Sequence, residues 1–386
     1  MRHFDFLSEA DLRRLFYRPP QPFGPHDDPG LLAVALGATL YSPATRPTLV
    51  ADLAKRVNEG VLSTVICLED SIPDAAVAAA EQNVITHLRA YAESGLQRPL
   101  VFIRVRSAEQ IPMIVAALGT QLPILTGFVL PKFTDENGAR YLDAISEAST
   151  ATGHRLLAMP VLEAPEVIFA ETRTEVLLQV RGVLNKYRRH VLAVRIGATD
   201  LSSVFGLRRA RDLTVYDVRV VADVIADVVN VFGRADDTGF VVTGPVWEYF
   251  SGTERMFKPQ LREAPFVEHA ERGLRTELIA SDLDGLIREV ALDKANGLIG
   301  KTVIHPSHVA AVHALSVVTH EEYCDACDVL GTRSGGGVTS SAYRNKMNES
   351  KPHSAWARRT VLRAAVFGVA NADISFVDLL GAGLHQ

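Results

Sequence analysis

Several charged side chains stand inside or just beyond short apolar runs. Arg104 lies between Ile103 and Val105, Glu163 follows MPVL, and Asp200 closes RIGATD. Burying such charges costs several kcal/mol each unless they pair or bind an ion. Glu163 and Asp200 together make a half-site of hard oxygens. Mg²⁺ typically takes one or two carboxylates and fills its other positions with water and substrate oxygens. With no Cys/His cluster nearby, Mg²⁺ or Mn²⁺ is favoured over Zn²⁺. A metal-bound 2-oxo acid or enolate would also need a fixed cation for its carboxylate or oxyanion, and Arg104 can offer one bidentately. The plainer alternative is that each carboxylate only pairs with Arg104 or Arg195.

Eight short runs must position these groups: Ala35–Tyr41, Ser63–Glu69, Leu100–Val105, Gly127–Pro131, Leu156–Leu162, Leu192–Gly197, Gly239–Thr243 and Leu298–Ile304. They lack polar alternation, which suits strands buried on both faces of a parallel sheet. Helical patterns lie between them, with Pro near starts and Gly just past ends; Val215–Phe232 before Gly233 is one such helix. Eight strands each followed by a helix give an α/β fold, the (β/α)8 TIM barrel. A doubly wound open sheet is the competing arrangement, but no Gly-rich dinucleotide fingerprint follows the first strand. The expected organisation is an N-terminal arm over 1–30, a barrel over 31–315 with a rim insertion at about 247–278, and a C-terminal helical extension over 316–386.

Chemistry on a barrel sits at the C-terminal strand ends. In order these ends carry Arg46, then Glu69 and Asp70, then Arg104 and Arg106, then Lys132, Glu163, Asp200, Glu248, and finally Lys301 with His305. This is a ring of acids and bases at an apolar barrel's mouth.

Composition narrows the classes. The 386 residues include 40 Lys and Arg against 45 Asp and Glu, a net charge of −5. No basic surplus serves nucleic acid, and no polybasic tail serves a membrane. The N-terminal MRHFDFLSEADLRRLF is unlike a signal peptide, and no apolar run is long enough to span a bilayer. Three cysteines make no disulfide framework, so a reducing cytoplasm is expected. Cys324 and Cys327 form a lone C-x-x-C without a second pair for zinc. Arg208, Arg209 and Arg211 could grip a phosphate or simply face solvent.

In their order these strand ends resemble the citrate lyase β-subunit/malyl-CoA lyase superfamily, grouped with the HpcH/HpaI aldolases. The family's F-x-P-A-x-R-P reads YSPATRP here, D-L-E-D reads CLED, R-V-N reads RVR, and L-P-K is unchanged. Its metal-ligand glutamate falls in VLEAPEV, G-x-x-D-L reads GATDL, and G-K-x-x-I-H-P reads GKTVIHP. The match runs over about residues 36–315, and the divergent C–C bond lyase-like branch is the nearest placement.

The resemblance implies a TIM-barrel lyase or aldolase that breaks or forms a carbon–carbon bond beside a carbonyl of a 2-oxo or 3-hydroxy acid, through a metal-enolate mechanism. It implies Mg²⁺, or Mn²⁺, on Glu163 and Asp200. Arg104 would stabilise the enolate or carboxylate, Arg46, Arg106 and Lys301 would bind substrate, and Glu69 and Asp70 would order water or position Arg104. Glu69, Lys132 and His305 remain open as proton carriers. It also implies a homo-oligomer, a trimer or hexamer, with a Gly336-Gly337-Val338 turn preceding an element that can close over a neighbouring subunit.

Cys67 replaces the first acid of D-L-E-D, Arg106 replaces an Asn, and Val77 and Glu81 stand where K-x-x-A-R bases would help hold CoA. These departures argue against a CoA thioester and favour, as an alternative, a phosphosugar- or nucleoside-linked substrate of a stress-response or biosynthetic pathway. A catalytically lapsed barrel serving as a binding subunit is the remaining alternative.

Overall fold

The computed structural model describes residues 1–250, 261–280, 283–331 and 337–384. Eight strands build one parallel sheet: β1 Ala38–Pro43, β2 Ser63–Cys67, β3 Leu100–Arg104, β4 Gly127–Leu130, β5 Leu157–Leu162, β6 Val194–Ile196, β7 Val242–Thr243 and β8 Lys301–Val303. Each of the eight apolar runs holds one strand, β1 running two residues beyond its run. The spatial order is β7-β6-β5-β4-β3-β2-β1-β8. The ring closes between β7 and β8 through the Gly244–Lys301 bridge, with Ile299 N–H donating to the Val242 carbonyl at 2.9 Å and Thr302 N–H to the Gly244 carbonyl at 3.0 Å. The fold is an α/β TIM barrel.

The period-two alternation of a strand decides what each residue faces. Ile66, Ile103, Phe128, Leu130 and Val194 point outward into the layer beneath the helices. Val65, Phe102, Val129 and Met159 belong to a second apolar cluster in the interior. Tyr41, Arg104 and Arg195 keep register with these inward residues. The outer layer includes the helices Leu49–Asn58, Val77–Glu93, Asp135–Thr152, Arg219–Phe232 and Leu283–Ala295. Thr134 and Asn137 form a capping box at the start of Asp135–Thr152, and Gly153 ends it at φ +68°. The expected helix Val215–Phe232 is split: Val215–Asp217 is a 3₁₀ turn held by its own Thr214–Asp217 capping box, and the α-helix starts at Arg219.

Ser8 caps the helix Glu9–Leu15 in the N-terminal arm. Phe16–Arg18 then pairs antiparallel with Val369–Ala370 near the other end of the chain. Of the expected rim insertion, residues 251–260 lie outside the described residues. The described part includes the short helices Ala264–Glu268 and Arg272–Ala280, whose Phe266, Leu274 and Leu278 are buried. Gly336 also lies outside the described residues; Val338–Ser340 pairs with Met347–Glu349 in a hairpin. Cys324 and Cys327 are free thiols on the helix His320–Gly331. No described helix is long and apolar enough to cross a membrane.

Candidate active site

Five of the expected residues meet at the mouth, around Arg104 at the end of β3. One Arg104 Nη2 lies 2.7 Å from Glu69 Oε2 and 2.8 Å from Glu163 Oε1. Lys132 reaches the same acids twice. Its backbone N–H donates to Glu163 Oε1 at 2.9 Å, and its Nζ lies 2.6 Å from Glu69 Oε1 and 3.1 Å from Asp70 Oδ2. Lys132 adopts φ +46°, a left-handed conformation that side chains other than glycine rarely take. That turn aims its N–H into the site. Burial works against the Lys132 charge, but hydrogen bonds to Glu69 and Asp70 hold it well above the ordinary lysine range.

Glu163 is 2% exposed. Its Oε1 is held by Arg104 and Lys132, while its Oε2 is buried with no hydrogen-bond partner. An orphaned carboxylate oxygen in this position costs free energy unless something answers it. Burial pushes the Glu163 carboxyl up to about 7; the Arg104 charge opposes the rise and the Asp200 charge adds to it. Asp200 comes from the short helix Ala198–Ser203 directly after β6. Gly197 precedes that helix, and a Cβ there would fall 2.2 Å from Glu163 Oε2. Glycine therefore keeps open the space beside the orphaned oxygen. No three His, Cys, Asp or Glu side chains gather as a metal cage among the described residues. Two carboxylates, one with an unpartnered oxygen, suit Mg²⁺, which keeps waters and substrate oxygens in its shell.

Other expected residues stand elsewhere. Arg106 turns back onto the loop after β2: its Nε donates to the Leu68 carbonyl at 2.7 Å, its Nη2 to those of Glu69 and Ile72, and its Nη1 meets Asp74. It holds the segment carrying Glu69 and Asp70. Arg46 pairs with Asp52 at 2.7 Å and lines a cavity of about 220 Å³ with Tyr41, Ser42, Arg56 and His305. His305 stacks on Phe250 with ring centroids 4.5 Å apart and touches none of the mouth cluster. Glu248 accepts from Thr199 Oγ1 at 3.1 Å.

Lys301 does not end its strand but opens it, and the pleat turns it outward. It is 1% exposed, with Nζ 2.9 Å from Glu289 and 2.6 Å from Asp293 on the helix Leu283–Ala295. The neighbouring Thr302 takes the inward position instead. Arg209 is likewise committed, to Glu289, the Val246 carbonyl and the Trp247 ring. Sequence reading cast Arg195 only as a partner for the carboxylates. Its position inside LAVRIG, between apolar neighbours as Arg104 is, carried the signal that it matters in its own right.

Residues 30–369 match the C–C bond lyase family of the TIM-barrel fold. The chain belongs to this family. It is a carbon–carbon lyase. No curated protein matches the sequence. Among solved structures, this lyase is similar to CitE from Mycobacterium tuberculosis in complex with magnesium, acetoacetate and coenzyme A, at 19% identity and TM-score 0.51, over 86% of this chain and 99% of that one. It is also similar to the Haloferax volcanii malate synthase in its lead(II) complex, at 12% identity and TM-score 0.51, over 74% and 73% of the two chains. At these identities the likeness concerns the fold.

Proposed function

We propose that this lyase is a Mg²⁺-dependent enzyme that cleaves or forms a carbon–carbon bond in a 2-oxo or 3-hydroxy acid. The observation that carries this reading is the divided Glu163 carboxylate, one oxygen fixed and the other buried and unpartnered, against Gly197 and within the field of Asp200. Glu163 and Asp200 would hold the ion. Bound there, Mg²⁺ would act as a Lewis acid towards the oxo-acid oxygens. Arg104 keeps a fixed cation against Glu163, to meet the substrate carboxylate or developing oxyanion. Lys132 and Glu69 hold Arg104 and Glu163 in place, and Arg106 fixes the loop that carries Glu69.

The rim cavity holds Arg46, paired with Asp52, and Arg56, paired with Glu59; a second anionic group on the substrate, such as a phosphate, would take over from one of these partners. Val77 and Glu81 leave the positions of the CoA-gripping bases without positive charge. The exposed Val338, Tyr343 and Met347 of the C-terminal hairpin support assembly as a homo-oligomer.

Thermal shift tests the reading. Mg²⁺ with oxaloacetate, pyruvate or glyoxylate should raise the melting temperature of the wild type and leave Glu163→Ala unmoved. No metal-dependent shift in the wild type would refute the Mg²⁺ reading. A shift with CoA esters equal to that with oxo acids would refute the preference for a non-CoA substrate.

A further inference from the structure

We propose that Tyr41 is the proton donor of this active site and that Arg195 holds the charge Tyr41 acquires on giving the proton up. The assignment rests on the lyase reading above.

Arg195 is 1% exposed inside the barrel. Its Nη2 donates to the Thr302 hydroxyl at 2.6 Å, its Nη1 meets the Met159 sulfur at 3.5 Å, and its Nε has no partner. It forms no ion pair with any described carboxylate, whereas Arg104, on the same interior wall, has two close ones. A buried cation costs several kcal/mol unless an opposite charge answers it. The resting site holds no such answer for Arg195.

Tyr41 is the neighbour that can supply one. The Arg195 guanidinium carbon stands 5.5 Å from the Tyr41 ring centroid. The phenol also lies within the fields of Arg104 and Glu163 of the mouth cluster. Tyr41 is also among the residues that line the rim cavity, with Ser42, Arg46 and His305. Tyr41 therefore joins a buried, unanswered cation to the space a substrate would occupy. Burial pushes the phenol up, with Arg195 and Arg104 pulling the other way, so it is protonated at neutral pH. The other candidates are engaged: Glu69 with Arg104 and Lys132, Lys132 with two carboxylates, and His305 with Phe250 away from the cluster.

In cleavage of a 3-hydroxy acid, the carbon–carbon bond breaks and its electron pair passes to the departing fragment as an enolate. The Tyr41 O–H bond breaks and its proton goes to the enolate carbon. The phenolate left behind faces Arg195. As the carbon–carbon bond breaks, the substrate hydroxyl becomes the new carbonyl and passes its proton through a relay water to the Tyr41 oxygen, in concert with the proton that leaves Tyr41 for the enolate carbon. No oxidant or reductant enters.

The test is Mg²⁺-dependent exchange of pyruvate methyl protons in deuterium oxide, followed by NMR on the full chain, with acetyl-CoA in a parallel arm. Wild type should exchange one of the two. Tyr41→Phe should slow that exchange about 100-fold or more while calorimetric affinity for the probe in Mg²⁺ changes less than about threefold. Arg195→Met should slow it comparably, and Arg195→Lys should restore about tenfold of the loss by returning a cation. Exchange by Tyr41→Phe at the wild-type rate overturns the donor assignment. Equal rates for the Met and Lys variants overturn the role of Arg195. Wild type that binds Mg²⁺ and probe but exchanges neither overturns the proposal while leaving the metal site standing. Wild type that binds no Mg²⁺ overturns the Mg²⁺-dependent reading on which the proposal rests. Tyr41→Phe keeps the ring, so it decides the matter even where Arg195→Met fails to fold.

Discussion

Glu163 titrates where cells live. Its carboxyl is pushed up to about 7 by burial, with Asp200 adding to the rise against Arg104. Mg²⁺ needs the ionised form, so a proton competes with the metal. Mg²⁺ affinity should be level above about pH 7.5 and fall towards tenfold per pH unit below about 6.5, measured by calorimetry. Apo stability should run the other way. An unfolded glutamate ionises near its ordinary value, so between that value and about 7 the folded state holds the extra proton. Apo melting temperature should therefore decline as pH rises through this window, and Glu163→Gln should remove both the slope and the Mg²⁺ binding. A wild-type Mg²⁺ affinity that is flat from pH 6 to 8 would contradict this account.

The loops and short helices at the strand ends turn single residues into a site. Gly197 lets the helix Ala198–Ser203 start close against Glu163. Gly197→Ala puts a methyl group on the orphaned oxygen, so Mg²⁺ binding should be lost with little change in the circular dichroism spectrum. Arg106→Ala should loosen the loop after β2. Turnover should fall about tenfold or more while Mg²⁺ affinity stays within about threefold, because Glu163 keeps its own contacts. Strand ends were readable in sequence because a charge ending an apolar run is visible without coordinates, and Glu69, Arg104, Lys132 and Glu163 did converge. Lys301 shows the limit. Its run was correctly read as a strand, but the strand is three residues long, and one step of register separates the interior from the helix layer. Arg106 shows another: spacing places a side chain at the mouth, yet unsatisfied carbonyls nearby decide where it turns.

At the scale of the whole molecule, the Lys301–Glu289–Asp293 cluster joins β8 to the helix Leu283–Ala295 in full burial. Burial pushes Asp293 up to about 6, with Lys301 opposing and Glu289 adding. Lys301→Met leaves the buried Asp293 without its cation, Glu289 keeping only Arg209, and should cost about 3–5 kcal/mol, read from denaturant unfolding. If Lys301 bound substrate instead, the variant would raise KM and leave stability alone. The mouth and rim set Arg46, Arg56, Arg104 and Lys132 against Asp52, Glu69, Asp70, Glu163 and Asp200, so the site is close to charge balance, slightly acidic like the whole chain at −5.

The pairing of Phe16–Arg18 with Val369–Ala370 sets a timetable for the chain. The two partners are about 350 residues apart, and synthesis at about 5–20 residues per second separates their appearance by on the order of 20–70 s. Throughout that interval the first strand edge waits on the ribosome without its mate. Phe16 and Leu15, both buried in the finished fold, wait with it. The barrel can close before this clasp does, and a nascent chain stalled short of residue 369 would present that open edge to whatever holds newborn proteins.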